Sequence, residues 1–222
     1  MVYLFSSGYS AVEIVVLTVA FALSAIIAIV FHEWAHAFVA YKQGDSTTKA
    51  YHRLSLNPFY HLDILGFISF FIIGFGWAKP VQINPLNFKN YKKGMVLVSL
   101  AGVITNFILA FVFAGFYMLS ILILKGSNML VLFLQQFLYY CVNINICLLI
   151  FNLIPIYPLD GFNAISACFK KENKFYKFMI QYGSLILLTL IILMSFTPLE
   201  WIISYPAYYL KYALFSFWGL MF

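Results

Sequence analysis

The sequence predicts an all-α polytopic membrane protein, with four to six transmembrane helices and a re-entrant segment inserted after the first of them. Three observations lead to this prediction: the scarcity of charge, four long uncharged runs and the placement of the basic residues. Of 222 residues, 13 are Lys or Arg, 7 are Asp or Glu and 64% are hydrophobic, whereas about a quarter of a soluble domain is charged. So little polar surface cannot cover a globule in water, which excludes a soluble enzyme, a disordered chain and a nucleic-acid-binding protein.

We expect residues 1–222 to form one intramembrane domain, with a core over residues 10–165 and C-terminal membrane helices over residues 178–222. Four uncharged runs reach the roughly 20 residues needed to cross a hydrocarbon core. These runs are Ile14–Phe31, Gly94–Leu124, Gly126–Leu159 and Phe178–Leu199. The last stretch, residues 201–222, contains Lys211 and many aromatic residues. It is compatible with an interfacial helix or with a further short span.

A fifth uncharged run, Ile64–Ala78, is only 15 residues long, which is shorter than a usual span. If this run does not cross, all but two of the 13 basic residues share one side, which the positive-inside rule identifies as the cytoplasm. The residues on that side are Lys42, Lys49, Arg53, Lys79, Lys89, Lys92, Lys93, Lys170, Lys171, Lys174 and Lys177. The N-terminus is then outside, and residues 42–93 form an insertion on the cytoplasmic side.

A metal-binding motif ends the first predicted helix, in the segment His32-Glu33-Trp34-Ala35-His36. Histidines at positions i and i+4 lie about 40° apart on one helical face, so both imidazoles can reach one ion. Glu33 stands beside the first histidine and can act on a water molecule at the metal without binding the metal itself. The alternative is a pair of satisfied polar residues at a helix end. Ionisable side chains inside a membrane are costly, which favours the metal site.

Catalytic zinc usually has three protein ligands, so the two histidines need a third. The candidates are Asp45, His52, His61, Asp63, Asp160 and Glu172. Asp160 is favoured because it closes an apolar run after two prolines that break the helix, and broken backbone at membrane depth lines a cavity or is buried in protein. The predicted topology also returns Asp160 to the side of His32 and His36. The alternative is a structural Asp-Gly turn.

The chain resembles the site-2 proteases, a family of intramembrane zinc metalloproteases, and within them the compact bacterial branch without PDZ or CBS domains. The resemblance covers most of residues 20–165. It rests on motifs in the family's order: HEWAH at 32–36, Leu54–Pro58 followed by His61 and Asp63, Gly76–Pro85, Ala101–Asn106 and Asn152–Gly161. Val103 departs from the family pattern, which often has proline there, and this affects no catalytic position.

The resemblance implies one zinc ion per chain, bound by His32, His36 and Asp160, with Glu33 as the catalytic acid and base. It also implies that residues 54–85 form a small membrane-associated β-sheet with a re-entrant loop. The implied location is the bacterial inner membrane, with the active site towards the cytoplasm.

Three further features are candidates for contact with a substrate. Asn106 either donates a hydrogen bond to a developing oxyanion or makes a polar contact between helices. Asn152 either binds the substrate backbone or caps and packs near the helix break. The third candidate is the segment Lys79, Pro80, Val81, Gln82 and Ile83. Its extended, β-branched character predicts edge pairing with an unwound substrate strand.

These features predict a zinc-dependent intramembrane endopeptidase, whose partners are a transmembrane protein substrate and the lipid bilayer. The cut is expected near the cytoplasmic side of the substrate. A metal transporter or channel would also place His and Asp inside a membrane, but it has no evident use for Glu33. A non-catalytic scaffold should have lost Glu33 or a ligand, and all of them are present. The identity of the substrate and the oligomeric state stay open.

Overall fold

The computed structural model describes residues 8–73, 76–126, 128–167 and 173–222, without the side chains of residues 70–73 and 195. Over these ranges the chain forms α-helices joined by turns and short 3₁₀ segments. The helices are α1 Ala11–Lys42, α2 Thr47–Ala50, α3 Ile64–Ile73, α4 Tyr91–Ile123, α5 Met129–Asn152, α6 Asp160–Ser166, α7 Lys174–Phe196 and α8 Trp201–Met221. The 3₁₀ segments are Pro58–Tyr60, Pro85–Asn87 and Pro198–Glu200.

Four of these helices are long and apolar enough to cross a membrane, namely α1, α4, α5 and residues Lys174–Met194 of α7. These four candidate spans coincide with the four predicted runs over most of their length. The third predicted run is helical only as far as Asn152, because the prolines at positions 155 and 158 cannot continue a helix. Residues 153–159 therefore form a series of turns that leads into α6.

The four helices that could cross a membrane each begin where a polar side chain satisfies free backbone N–H groups. Ser10 and Glu13 form a reciprocal capping box at the start of α1. The side chains of Asn90, Asn128 and Asn173 accept hydrogen bonds from the first turns of α4, α5 and α7. These caps set the start of α1, α4 and α7 before their apolar runs, and the start of α5 just inside its run.

The bundle is built around α1, α4 and α5, which pack against one another, with α8 against α4 and α5. Small residues fill the contacts, as expected where helices approach closely inside a membrane. Ala25 and Ala28 of α1 pack on Ile144 of α5. A second cluster joins three helices through Ala110, Ala114, Val142, Ile146 and Leu214. The last of these residues belongs to α8, so residues 201–221 form a regular helix packed on the bundle.

The described part of the run Ile64–Ala78 contains one short helix, as expected for a run that does not cross the membrane. Its helix, α3, has 10 residues and spans about 15 Å, half of a hydrocarbon core of about 30 Å. The two ends of the run meet, because Leu62 and Ala78 form an antiparallel bridge and the Lys79 N–H donates to the His61 carbonyl at 2.9 Å. Residues 74–75 of this run lie outside the described residues.

The prediction of a β-sheet in residues 54–85 is wrong for the part of the chain that the structure describes. Only the single bridge between Leu62 and Ala78 occurs there, and no strand forms. The physical reason is that side chains donate hydrogen bonds to the backbone carbonyls that a second strand would otherwise use for pairing. The Arg53 guanidinium donates to the carbonyls of Lys79 and Pro80 at 3.0 and 2.8 Å.

Candidate metal centre

Three metal-ligating side chains from distant parts of the sequence converge at the cytoplasmic-side end predicted for the bundle. The Nε2 atoms of His32 and His36 lie 3.0 Å apart. They lie 3.3 and 3.2 Å from Oδ2 of Asp160. Both histidines are 7% exposed. The structure thus brings together the three predicted ligands in a nearly equilateral triangle of donor atoms.

This triangle fits a zinc ion by both its dimensions and its chemistry. Zinc bonds of about 2.0–2.2 Å in a tetrahedral arrangement place ligand atoms about 3.3 Å apart. Oδ2 of Asp160 is buried and receives no hydrogen bond within the described residues. Both imidazoles use their Nδ1 protons elsewhere, so three lone pairs point at one another. A cation between them is the arrangement that offsets their repulsion.

The two histidines are oriented by hydrogen bonds at their other ring nitrogens. Nδ1 of His36 donates to the Val98 carbonyl at 2.7 Å. Nδ1 of His32 donates to Oδ1 of Asn106 at 2.5 Å. Each bond selects the tautomer with an unprotonated Nε2, which is the form that binds a metal.

Close packing of α4 on α1 places these acceptors behind the histidines. Gly102 of α4 faces both imidazoles: a Cβ atom there would lie 2.5 Å from Cε1 of His32 and 2.5 Å from Nε2 of His36. Only a residue without a side chain fits at this contact. The glycine therefore sets the distance between the two helices at the metal centre.

Asp160 reaches the histidines because the chain reverses after α5. The turns of residues 153–159 bring the N-terminus of α6 back beneath α4, against which α6 packs. Gly161 permits this reversal, since a Cβ atom there would collide with the Leu153 carbonyl. The Asp-Gly pair thus serves the turn and the metal centre together, which unites the two alternatives that the sequence left open.

Glu33 shares an open cavity of about 330 Å³ with the three predicted ligands. Its side chain is partly exposed. The cavity is lined by His32, Glu33, His36, Pro80, Val81, Ile83, Pro85, Met95, Val98, Ser99, Asn152, Pro158, Asp160 and Asn163. A carboxylate beside a buried cation site, open to a cavity, can exchange protons with water and with a bound peptide.

Comparisons with known proteins identify the family of this chain. The model of "Peptidase family M50" matches residues 118–191, which include Asp160. A Bacillus subtilis (strain 168) protein called "Putative zinc metalloprotease YwhC" is 44% identical over 146 residues, 64% of this chain and 66% of that protein. The chain belongs to peptidase family M50, the site-2 proteases. This chain spans about two thirds of the length of that relative, and no solved structure matches it.

The M50 model match covers only one of the three predicted ligands, because His32 and His36 precede residue 118. The structure supplies what the match omits by placing the HEWAH segment of α1 against Asp160. The match therefore supports the family, and the geometry shows which side chains come together.

The predicted docking segment, residues 79–83, runs along the edge of the M50 cavity. Pro80, Val81 and Ile83 line the cavity. Lys79 and Gln82 are exposed and do not line it. Val81 and Ile83 lie two residues apart and share a face, as expected for extended backbone. Over the described ranges, no backbone hydrogen bond to residues 81–83 occurs.

Arg53 holds one end of the docking segment, and the sequence showed it only as one more basic residue. It is 4% exposed and donates to the carbonyls of Tyr60, Lys79 and Pro80. Burial lowers the pKa of its guanidinium, and the charge of Glu33 opposes this. Arg53 is the chain's one arginine. Because the planar guanidinium can donate to several acceptors at once, this was the one feature of the sequence that could have indicated its role.

Asp45 holds the other end of the docking segment. Its carboxylate is fully buried and accepts hydrogen bonds from the Asn84 N–H at 2.7 Å and from Nδ2 of Asn87 at 2.9 Å. Burial raises the pKa of this carboxyl, while hydrogen bonds from Thr47, Asn84 and Asn87 lower it by more, to below its usual value. An ionised Asp45 therefore fastens the residues after the docking segment to the end of α1.

The other candidate ligands that the structure describes lie away from the donor triangle. His61 is buried and donates from Nε2 to the Ser55 carbonyl at 2.7 Å. His52 stacks on Tyr60, and Asp63 accepts from the Gly66 N–H at the start of α3. Glu172, like Lys170 and Lys171, is outside the described residues.

The two predicted asparagines occupy different places. Asn152 lines the cavity and donates to the Leu148 carbonyl at 3.0 Å. Asn106 is fully buried behind His32, and its amide hydrogens are directed at Asn145 and at the Ala28 carbonyl. This arrangement supports the contact between helices and gives no support to donation towards an oxyanion.

Proposed function

We propose that this M50 protein is a zinc-dependent endopeptidase that cleaves a transmembrane segment of a membrane protein near its cytoplasmic side. The observation that carries the proposal is the triangle of His32, His36 and Asp160 with Glu33 in the same cavity. The name of the Bacillus subtilis relative agrees with a zinc-dependent protease. The bilayer is the expected setting, because His32 and His36 belong to α1, which is long enough to span it, and Asp160 begins the short helix that follows α5.

The chemistry divides between a metal ion and Glu33. A bound zinc ion would lower the pKa of water towards about 7 and polarise the scissile carbonyl. Glu33 takes a proton from the attacking water and later delivers it to the leaving amine. His32, His36 and Asp160 hold their donor atoms in one place, so no rearrangement of ligands is needed before reaction.

A substrate helix must lose part of its own hydrogen-bond ladder before a peptide bond can be reached. The docking segment offers replacement partners, because residues 81–83 have backbone groups without partners among the described residues and run along the cavity wall. Pairing of the unwound strand with this edge would present its carbonyls towards Glu33 and the three ligands. Arg53 and Asp45 keep the edge in place before the substrate arrives.

We further propose that the centre lies on the cytoplasmic side of a bacterial inner membrane, with the N-terminus outside. The support is the shared placement of the basic residues of the insertion, residues 42–93, and those around the start of α7. His32 and His36 lie in the last third of α1, and Asp160 follows the end of α5. We therefore expect the cut to fall in the cytoplasmic half of the substrate's span.

A direct test combines metal content with cleavage. Purified protein in lipid vesicles is expected to hold one zinc per chain and to cut a membrane-anchored substrate in the cytoplasmic half of its span. Asp160→Ala should weaken zinc binding by at least about 100-fold and abolish cleavage, because it removes a ligand. Glu200→Gln, at an exposed carboxylate before α8, is the control and should change neither. A zinc-free wild-type protein that still cleaves would overturn the proposal.

The docking segment has its own test in Arg53→Met. This change keeps an unbranched stem like that of arginine but removes the guanidinium donors to Lys79 and Pro80, each worth about 1.5–3 kcal/mol when charged. We expect kcat/KM to fall about 10-fold or more while zinc per chain stays the same. Lys49→Met removes an exposed cation from α2 and should have no effect. Wild-type cleavage by Arg53→Met in folded, zinc-loaded protein would contradict the role of this arginine.

A further inference from the structure

A chain of buried hydrogen bonds leads away from the metal centre into the bundle. Nδ2 of Asn106 donates to Oδ1 of Asn145 at 2.7 Å. Nδ2 of Asn145 in turn donates to the Cys141 carbonyl, one turn earlier in α5, at 2.8 Å. Both asparagines are fully buried. These hydrogen bonds therefore connect His32 on α1, through Asn106 on α4, to the backbone of α5.

This series of hydrogen bonds has one direction. The shorter contact that sets it lies at the α5 end, since Nδ2 of Asn106 is 2.7 Å from Asn145 and 3.4 Å from the Ala28 carbonyl. The Cys141 carbonyl can only accept, so the Asn145 amide must turn its Nδ2 towards it and its Oδ1 towards Asn106. Asn106 must then present Nδ2 to Asn145, which leaves its Oδ1 facing His32. His32 must therefore carry its proton on Nδ1, and its Nε2 is left bare for a metal.

The two histidines differ in how firmly their hydrogen-bond partner fixes the tautomer with a bare Nε2. His36 donates to a backbone carbonyl, that of Val98, which cannot exchange its acceptor for a donor. His32 donates to a side-chain amide, which could rotate by half a turn and offer Nδ2 instead. A rotated Asn106 would favour a His32 ring with its proton on Nε2, the nitrogen that must bind the metal.

We infer that Asn145 is a positioning residue that fixes the orientation of Asn106 and, through it, the metal-binding tautomer of His32. Asn145 does not line the cavity and touches none of the three ligands. The inference rests on the metal centre of the proposed function and adds a residue to which no motif pointed. It also accounts for two fully buried carboxamides in the membrane core, where polar groups are costly.

The α5 helix offers a matched control for a purely structural role. Asn143 is also an asparagine within the span, but its Oδ1 accepts from Nζ of Lys211 on α8 at 2.9 Å. It joins α5 to a different helix and has no contact with the chain that leads to His32. Asn143→Leu therefore removes a polar contact between helices without disturbing the orientation of Asn106.

The test compares zinc affinity, by chelator competition, in Asn145→Leu, Asn143→Leu and Asn145→Asp. Asn145→Leu should weaken zinc binding about 10- to 100-fold and alter the visible absorption of the cobalt-substituted protein. Asn143→Leu should keep wild-type affinity and spectrum. Burial keeps the carboxyl of Asn145→Asp protonated. Its O–H can then donate to the Cys141 carbonyl and its other oxygen can accept from Asn106, so its zinc affinity should stay within about 3-fold of wild type. If the Leu variant does not fold, Asn145→Ser, too short to reach Asn106, is expected to show the same weakening.

Two results would overturn the inference while leaving the proposed function standing. One is wild-type zinc affinity in Asn145→Leu or Asn145→Ser. The other is an equal loss of affinity in Asn143→Leu, which would reveal a contact that merely holds the bundle together. A wild-type protein that binds no zinc at all would instead overturn the metal centre itself, so the two failures are distinguishable.

Discussion

Replacing Glu33 with glutamine is expected to lower cleavage of a membrane-anchored substrate by about 10²- to 10⁴-fold while leaving one zinc per chain. Glutamine keeps the size and polarity of the side chain but cannot take a proton from water. Glu33 does not belong to the donor triangle of His32, His36 and Asp160, so metal binding should persist. Turnover under saturating substrate and zinc content by elemental analysis measure the two parts separately.

This variant also separates a protease from a metal transporter. A transporter that used the same ligands should move zinc into lipid vesicles equally well with Glu33→Gln, because the change leaves the ligands intact. If the wild type showed no cleavage and both it and Glu33→Gln moved zinc, the result would favour transport. If Glu33→Gln cleaved at the wild-type rate, the assignment of this residue as acid and base would be wrong.

Gly102→Ala should have the second large effect, a loss of zinc affinity on the order of 100-fold with a matching loss of cleavage. The added methyl group would lie 2.5 Å from Nε2 of His36 and 2.7 Å from Nδ1 of His32. Neither ring can move aside cheaply, because each is tied to α4 by its own hydrogen bond. The helices must separate, and the donor triangle opens with them.

The sign of this effect is opposite to that of helix propensity alone. Alanine normally stabilises a helix interior by about 1 kcal/mol relative to glycine. Gly219→Ala in α8 is the matched control, since its Cβ would meet only Cε of Met118 at an ordinary 3.6 Å. It should leave zinc affinity unchanged. Wild-type zinc affinity in Gly102→Ala would show that the contact between α1 and α4 is looser than the structure indicates.

The insertion shows where pattern reasoning reached its limit. Charge distribution predicted that the run Ile64–Ala78 does not cross, and the bridge between Leu62 and Ala78 agrees. The β-sheet predicted for the same insertion is wrong over the described residues. A sheet depends on pairing between segments, and here the Arg53 guanidinium and the Asp45 carboxylate bind the backbone around the docking segment. A single sequence carries no signal for such non-local side-chain contacts.

The sequence by itself predicted the membrane spans, the ligands His32 and His36, Glu33 as the general base and Asp160 as the third ligand. These features are local, because hydropathy and helical spacing act within one stretch of chain. Only the tertiary structure decided how Asn106 is used, and that Asn145 orients it. Those roles depend on which amide atom faces which neighbour across three helices. This follows from the close packing of the helices that Gly102 permits, and the spacing of residues in the sequence does not predict it.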